Sequence, residues 1–368
     1  MRFPEFSGEW TKTLLNNYLE ENKERNKRGI FTKNHVLSVS GDFGIVNQIE
    51  LLGRSFAGKS VLDYHVVRTG NIVYTKSPLK EYPYGIVKVN GGVDGIVSTL
   101  YAVYKVKETA NGKFVEYYFG LPNRTNRYFK PIVRIGAKHD MKIGNDEVLA
   151  NYVVFPCVDE QKRISDFICL LDERIATQIK IIEKLESLIK GLCQVLFSFE
   201  EYATYLLGDI CSITTGKLDA NAMVEGGKYP FFTCAEEVFS IDNYAFDTEA
   251  LLISGNGANL GYIHYYNGKF NAYQRTYVLD KFTIDINYIR LYLETFLKNR
   301  IEQEKNIGNT PYIVLGTLSK MKIRVPDIIT QQKIVKSMTS LKKKLSNERL
   351  ALIKYEEQKK YLLSNLFI

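Results

Sequence analysis

One stretch of 42 residues occurs twice in this chain, separated by a constant 170 positions and needing no gap. The first copy starts at Pro156 and the second at Pro326. An internal repeat constrains a fold more strongly than local propensity does. The residues of the first copy that recur in the second are Pro156, Gln161, Ile164, Leu171, Lys184, Glu186, Lys190, Leu192, Leu196 and Phe197.

Each copy predicts a long heptad helix, because apolar residues recur at alternating intervals of three and four. About 33 helical residues would be roughly 50 Å long. The first seam comprises Ile164, Ile168, Leu171, Ile175, Gln178, Ile182, Leu185, Ile189, Leu192 and Leu196. The second comprises Ile334, Met338, Leu341, Leu345, Glu348, Leu352, Tyr355, Lys359, Leu362 and Leu366.

The two helices are expected to pack on each other as an antiparallel coiled coil. Asp159 and Thr330 are the expected capping residues. Gln178 and Glu348 interrupt the two seams near mid-helix, and equivalent positions of an antiparallel pair meet only there, so we expect them to lie close and fix the register. The alternative, two unrelated amphipathic helices on separate domains, does not explain the gap-free repeat or the shared Pro-x4-Gln motif.

The predicted fold class is α+β, with two mixed globular domains related by a pseudo-twofold repeat. The predicted segments are 1–155 and 200–325, which are globular, and 156–199 and 326–368, which are helical. Short stretches rich in β-branched and aromatic residues indicate strands in both globular segments. The order of these signals is similar, so that 72–74 corresponds to 251–253 and 85–87 to 261–263.

Charge is unevenly distributed along the chain. Residues 1–150 carry 22 Lys and Arg against 15 Asp and Glu, whereas residues 200–325 carry 12 against 15. The first segment therefore favours a polyanionic partner. No apolar run approaches the ~18 residues of a membrane span, and the first ten residues lack an apolar signal region, so a cytoplasmic protein without membrane contact is expected.

No catalytic constellation is found in the sequence. The four histidines are scattered singly, without metal-ligand spacing. The glycine-rich run 255–261 leads into a strand-like stretch rather than a helix, unlike a dinucleotide-binding loop. No Asn-Pro-Pro-Tyr-type motif of an amino-methyltransferase occurs. The chain is therefore expected not to be an enzyme and to hold no cofactor or metal.

Polar and aromatic residues beside the predicted strands are the remaining candidates for function. Amide side chains can pair with adenine, arginine with guanine, and lysine with phosphate; ordinary solvated loops are the alternative. The candidate DNA-binding residues of the first segment are Lys76, Lys80, Tyr82, Lys88, Arg124 and Arg127. Those of the second are Lys228, Tyr229, Asn256, Asn259, Asn271, Tyr273, Gln274 and Arg275.

These motifs together resemble the specificity subunits of type I restriction-modification enzymes. The resemblance rests on the opening 2–10, on Leu207-Gly208-Asp209-Ile210, on Pro-x4-Gln-x2-Ile before each helix, and on 228–234 and 271–276. The first segment departs from it with Leu14-Leu15-Asn16-Asn17 where the second has Leu206-Leu207-Gly208-Asp209, which leaves the start of that domain open.

The resemblance implies a non-catalytic subunit with two target-recognition domains that read the two halves of a bipartite duplex DNA sequence. It also implies two modification subunits, which carry S-adenosylmethionine, and restriction subunits, which use ATP and Mg²⁺. Two other classes of protein remain open. A coiled-coil interaction scaffold would show no DNA specificity, and a stand-alone DNA-modifying enzyme would need a catalytic motif.

Overall fold

The computed structural model describes residues 2–58, 60–79, 81–135, 141–198, 201–304 and 312–367. The chain divides into two compact units. The first comprises Met1–Gln178 with Ala351–Ile368, and the second comprises Ile179–Leu350. Each unit therefore contains one globular segment together with part of each long helix. The predicted mixed fold with two long helices is confirmed.

The first unit contains short strands and helices and the first part of one long helix. The strands are β1 (Thr11–Leu14), β2 (Leu19–Glu21), β3 (Leu37–Ser40), β4 (Gly44–Asn47), β5 (His65–Val67), β6 (Ile72–Tyr74), β7 (Val87–Val89), β8 (Gly95–Val97), β9 (Ala102–Val106), β10 (Arg134–Ile135), β11 (Met141–Lys142) and β12 (Tyr152–Phe155). The α-helices are α1 (Gln48–Leu52), α2 (Gly112–Tyr118), α3 (Pro122–Phe129) and α4 (Val158–Leu196).

An antiparallel sheet of order β2-β9-β6-β7 forms the centre of the first unit. Its strands are rich in valine, isoleucine and tyrosine, which suit a buried pleated surface. Tyr74 of β6 stacks on Phe129 of α3, with ring centroids 4.4 Å apart. Helices α2 and α3 therefore cover one face of this sheet, and the smaller pairs β3-β4 and β5-β8 complete the unit.

The second unit contains the other strands and helices. The strands are β13 (Ala203–Leu206), β14 (Ser212–Thr215), β15 (Tyr229–Phe232), β16 (Phe239–Ile241), β17 (Phe246–Ser254), β18 (Ile263–Ala272), β19 (Thr276–Asp280) and β20 (Lys322–Val325). The helices are α5 (Leu207–Ile210), α6 (Ile286–Glu304), α7 (Leu315–Ser319) and α8 (Ile328–Asn365), of which α8 extends into the first unit.

The central sheet of the second unit has the order β14-β19-β17-β18-β15-β16. Its first four strands match β2-β9-β6-β7 of the first unit in order and direction. The turn before β7 and the turn before β18 each contain a left-handed glycine, Gly85 with φ 87° and Gly261 with φ 83°. The predicted correspondence of 85–87 with 261–263 is therefore seen in the backbone.

The Pro-x4-Gln motif joins a two-stranded ladder to each long helix. Strand β12 pairs with β1 before α4, and β20 pairs with β13 before α8. The amide of Gln161 donates to the carbonyl of Pro156 at 2.9 Å, and Gln331 donates to Pro326 at the same distance. A buried carbonyl needs such a partner, which explains why both copies keep this spacing.

The expected helix caps are wrong. At the start of α8 the carboxylate of Asp327 accepts from the backbone N–H groups of Ile329 and Thr330, at 2.9 and 3.1 Å. Asp159 and Thr330 already lie inside their helices. A capping residue must precede the first helical residue, and the sequence pattern placed that residue too late.

The long helices pack antiparallel within the first unit. Ile164 and Ile168 share a core with Leu362 and Leu366. Further along, Asp172 pairs with Lys359 at 2.6 Å and the guanidinium of Arg174 lies 4.6 Å from the ring of Tyr355. Residues nearer the C-terminus of α4 therefore contact residues nearer the N-terminus of α8, as in an antiparallel pair.

The same arrangement recurs within the second unit. Glu186 pairs with Arg349 at 2.6 Å, and Cys193 shares a core with Met338 and Ile334. The predicted seam residues of both helices are all buried or half-buried. The predicted helix pairing is confirmed. Gln178 is buried and Glu348 half-buried; their mutual contact stays a prediction.

Candidate nucleic-acid interface

The turn between β18 and β19, residues 273–275, is a polar surface loop of the second unit held by three backbone hydrogen bonds to neighbouring loops. The Tyr273 N–H donates to Phe232 O at 2.9 Å and the Gln274 N–H to Leu218 O at 2.8 Å. Arg275 O accepts from Gly255 N at 2.9 Å. The backbone of the turn is thus bonded to the segments that follow β14, β15 and β17. This restricts the backbone from which its side chains project.

Two glycines permit this close packing. A Cβ on Gly216 would lie 1.9 Å from the carbonyl oxygen of Ala272, and one on Gly255 would lie 2.4 Å from that of Arg275. Real Cβ atoms do not approach backbone oxygens so closely, and any larger residue would push the turn outward. The glycines therefore position the turn without contributing a side chain.

Gln274 and Arg275 point their side chains away from the protein. Both are exposed, and within the described part of the chain neither side chain makes a hydrogen bond or ion pair. Burial raises the pKa of Tyr277, and the nearby Arg275 charge opposes that rise. An amide and a guanidinium on a rigid backbone are the groups that pair bidentately with adenine and guanine in the major groove.

The other candidates of the second unit fall into two groups. Asn259 donates its amide to Cys234 O at 3.2 Å, and Asn256 forms a backbone bridge with Tyr312, so both help to hold the loop beside the turn. Asn271 is buried and bonds Asn243 at 2.9 Å. The side-chain amides of Asn259 and Asn271 are therefore engaged within the protein, and Asn256 is held through its backbone.

Lys228 and Tyr229 mark a second exposed surface at the β15–β16 edge. Lys228 is exposed, and the ring of Tyr229 lies 5.0 Å from that of Tyr244. The ammonium of Lys269 lies 4.7 Å from the Tyr244 ring. Sequence reasoning missed Tyr244, which lies in the loop before β17, and Lys269 of β18, because only the tertiary pairing brings these segments together.

In the first unit, four predicted DNA contacts bind other parts of the unit instead. Lys76 donates to Ile143 O at 2.9 Å, and burial lowers its pKa. Lys88 pairs with Glu116 at 3.4 Å, with its side chain 22% exposed. This geometry favours structural roles over phosphate binding.

Tyr82 and Arg124 are likewise engaged. The Tyr82 hydroxyl donates to Gly120 O at 2.7 Å, and burial raises its pKa. The Arg124 guanidinium lies 5.0 Å from the ring of Phe367, and burial lowers its pKa. Arg124 and Arg127 lie in helix α3 rather than in a loop; Arg127 is exposed. Lys80 lies outside the described residues.

The described residues show neither metal site nor membrane helix. Among them, no group of three or more His, Cys, Asp or Glu side chains could hold a metal ion. None of the helices that they form is long and apolar enough to cross a membrane.

Comparison with known proteins finds a matching domain family and similar proteins. A sequence model of the type I restriction modification DNA specificity domain matches residues 200–355. The specificity subunit of the type I restriction enzyme EcoDI of Escherichia coli is 41% identical over 142 residues, which cover 38% of this chain and 31% of that protein. A candidate type I specificity subunit of Mycoplasma pneumoniae is 29% identical over 161 residues, which cover 42% of this chain and 44% of that protein. The matches thus span under half the length of these relatives.

The fold is shared over the whole chain. The crystal structure of the S subunit of a type I restriction-modification system from M. genitalium aligns with a TM-score of 0.64 at 17% identity, covering 100% of this chain and 99% of that one. A chain from a structure on complex assembly of the type I R-M system aligns with a TM-score of 0.57 at 15% identity, covering 98% of both. The resemblance seen in the sequence is confirmed: residues 200–355 match the type I restriction modification DNA specificity domain, and the chain shares the fold of these solved S subunits.

Proposed function

We propose that this chain is the DNA sequence-recognition subunit of a type I restriction-modification complex. Its two globular segments would each read one half of a bipartite target. The observation that carries the proposal is the rigid turn 273–275, whose exposed amide and guanidinium have no partner among the described residues. Side chains held in this way can read base edges without a large entropic cost on binding.

The chain would contribute specificity, and other subunits the chemistry. Two modification subunits would carry S-adenosylmethionine, and restriction subunits would use ATP and Mg²⁺, in the cytoplasm. The absence of a recognisable catalytic motif in the sequence supports this division. The length of the helix pair would set the unread spacer between the two half-sites, because a groove-reading domain contacts only a few base pairs on one face of the duplex.

The base-reading role of the turn is tested with Arg275→Ala. Loss of one bidentate contact should cost roughly 1–3 kcal/mol of discrimination at a single base position. Single-molecule methylome sequencing of the host should then show relaxation at one position of one half-site. Lys320→Ala, which removes an exposed charge at the end of α7, is the matched control. An unchanged target in Arg275→Ala would contradict the assignment.

The spacer is tested by deleting one heptad from each long helix. The seams stay in phase after this change, so the helices should still pair while the recognised spacer shortens or activity is lost. The methylome is the readout again. An identical target and spacer would contradict the role of the helices in setting the separation. A coiled-coil scaffold without DNA specificity, the second candidate, predicts no sequence-selective binding by the wild-type complex at all.

A further inference from the structure

The turn before β9 in the first unit occupies the same place in the sheet as the turn 273–275 in the second. In the second unit, Ile253 of β17 faces Tyr277 of β19 and Ile263 of β18. In the first, Tyr74 of β6 faces Ala102 of β9 and Val87 of β7. Tyr74 is therefore the counterpart of Ile253.

The backbone at the strand ends gives the same alignment independently. The Thr75 N–H donates to Ile86 O at 3.1 Å, and the Ser254 N–H donates to Tyr262 O at 2.9 Å. Each acceptor follows the left-handed glycine of its unit. Thr75 and Ser254, which follow Tyr74 and Ile253, are thus also equivalent, and the register is fixed by two separate sets of contacts.

The two turns share the same closing hydrogen bond. The Tyr101 N–H donates to Ser98 O at 3.0 Å, and the Thr276 N–H donates to Tyr273 O at 2.8 Å. With Ala102 equivalent to Tyr277, Ser98 corresponds to Tyr273. It follows that Thr99 stands at the position of Gln274, and Leu100 at that of Arg275.

The side chains at these two positions are exposed in both units. Thr99 is exposed, and Leu100 is 68% exposed. The turn is tied locally, because the Leu100 N–H reaches the Ser98 hydroxyl at 3.4 Å and the half-buried Tyr101 packs against Val103 and its neighbours. The first unit therefore presents a hydroxyl and an isobutyl group where the second presents an amide and a guanidinium.

We propose that the turn 98–101 is the base-reading turn of the first unit and that Leu100 contacts the 5-methyl group of a thymine in the major groove. This inference rests on the proposed DNA-recognition function and deepens it. The thymine methyl is the one apolar group that base pairs present in the major groove, and apolar side chains recognise it. Because Lys76, Tyr82, Lys88 and Arg124 are engaged inside the unit, we assign the base-reading surface of the first unit to this turn.

The test removes the thymine methyl group and the Leu100 side chain, first separately and then together. The full chain, co-purified with the modification subunits of its host, is titrated with duplexes carrying its methylome-defined target. Each thymine of the half-site that Arg275→Ala leaves unrelaxed is replaced by deoxyuridine, which deletes only the methyl. For the wild-type chain, one replacement should weaken binding about fourfold, because this ratio of Kd values corresponds to the free energy of burying one methyl group.

With Leu100→Ala, that same replacement should have no further effect, because the partner of the methyl is already gone. Leu170→Ala, which shortens a leucine of 65% exposure on α4, should behave as wild type. The inference is overturned if no thymine is sensitive in the wild type, or if the sensitive thymine is equally sensitive in Leu100→Ala. Failure of the proposed function is distinguishable, since the wild-type complex would then show no selective binding and Arg275→Ala would change neither half-site.

Discussion

The repeated glutamines in the first turn of the two long helices offer a matched pair of perturbations, Gln161→Ala and Gln331→Ala. Both side chains are buried and both bond the proline carbonyl five residues earlier. Gln161 also accepts from the Asn111 N–H at 2.9 Å and donates to Thr109 O at 3.2 Å, linking the start of α4 to the start of α2. Within the described residues, the side-chain oxygen of Gln331 has no hydrogen-bond partner.

The two truncations should therefore differ in cost. Gln161→Ala removes three hydrogen bonds and leaves their partners unsatisfied, which costs about 3 kcal/mol at roughly 1 kcal/mol for each group, the lower end of the usual range. Gln331→Ala removes one bond but also an unpaired buried oxygen, so about 1 kcal/mol is expected. The difference arises from the surroundings alone, since the substitution is the same.

The single tryptophan of the chain makes the comparison measurable. Trp10 lies in the first unit, donates to Glu160 at 3.3 Å and packs on Phe114, so its fluorescence reports that unit. With an m-value of about 3 kcal/mol/M, Gln161→Ala should lower the urea midpoint of the Trp10 transition by roughly 1 M. Circular dichroism at the helix band would follow Gln331→Ala.

Gln358→Ala, which truncates an exposed glutamine of α8 in the first unit, is the control and should leave the midpoint unchanged. The reasoning is refuted if Gln331→Ala destabilises the protein as much as Gln161→Ala does. That result would mean that the proline contact alone carries the energy and that the extra bonds of Gln161 contribute nothing.

Two further predictions concern a buried histidine and the glycine that packs against the turn 273–275. Burial, assisted by the charge of Arg25, lowers the pKa of His65 to about 4 from its ordinary 6.5. The unfolded chain therefore binds more protons than the folded chain between these two pH values. About 3 kcal/mol of stability that is present above pH 6.5 should be lost as the pH falls to 4. In His65→Gln this part of the acid dependence of the Trp10 transition should disappear, and an unchanged pH profile would contradict the role of His65. Gly216→Ala should displace the turn 273–275 and relax the sequence recognised at the half-site affected by Arg275→Ala, as read from the methylome. Gly316→Ala, whose added Cβ meets open space, should leave that sequence unchanged. Equal behaviour of the two variants would contradict the packing argument.

The long helices were predictable because burial there follows a period that the sequence displays. The seam positions alternate by three and four, and the tertiary contacts bury that same stripe in both units. The Pro-x4-Gln motif was visible as a repeat, although its reason, a glutamine satisfying a buried proline carbonyl, needed coordinates. The helix caps were misplaced because several polar residues near each start could serve.

The candidate site was only partly predictable. Gln274 and Arg275 are exposed, and their contact with DNA stays a prediction, whereas the similar-looking Lys76, Lys88 and Arg124 are engaged internally. A lysine that bonds a carbonyl within its own domain and a lysine that reaches solvent have the same local sequence signal. The distinction depends on residues tens of positions away, such as Ile143 for Lys76.

By itself the sequence determined the duplication and the paired helices, because repeats and heptads are periodic and need no knowledge of distant partners. The tertiary structure alone decided which polar side chains are exposed and which are engaged within the protein, and it showed that Leu100 has the position in its sheet that Arg275 has in the other unit. Strand pairing brings together segments that no local pattern connects, and exposure is a property of that pairing rather than of residue type.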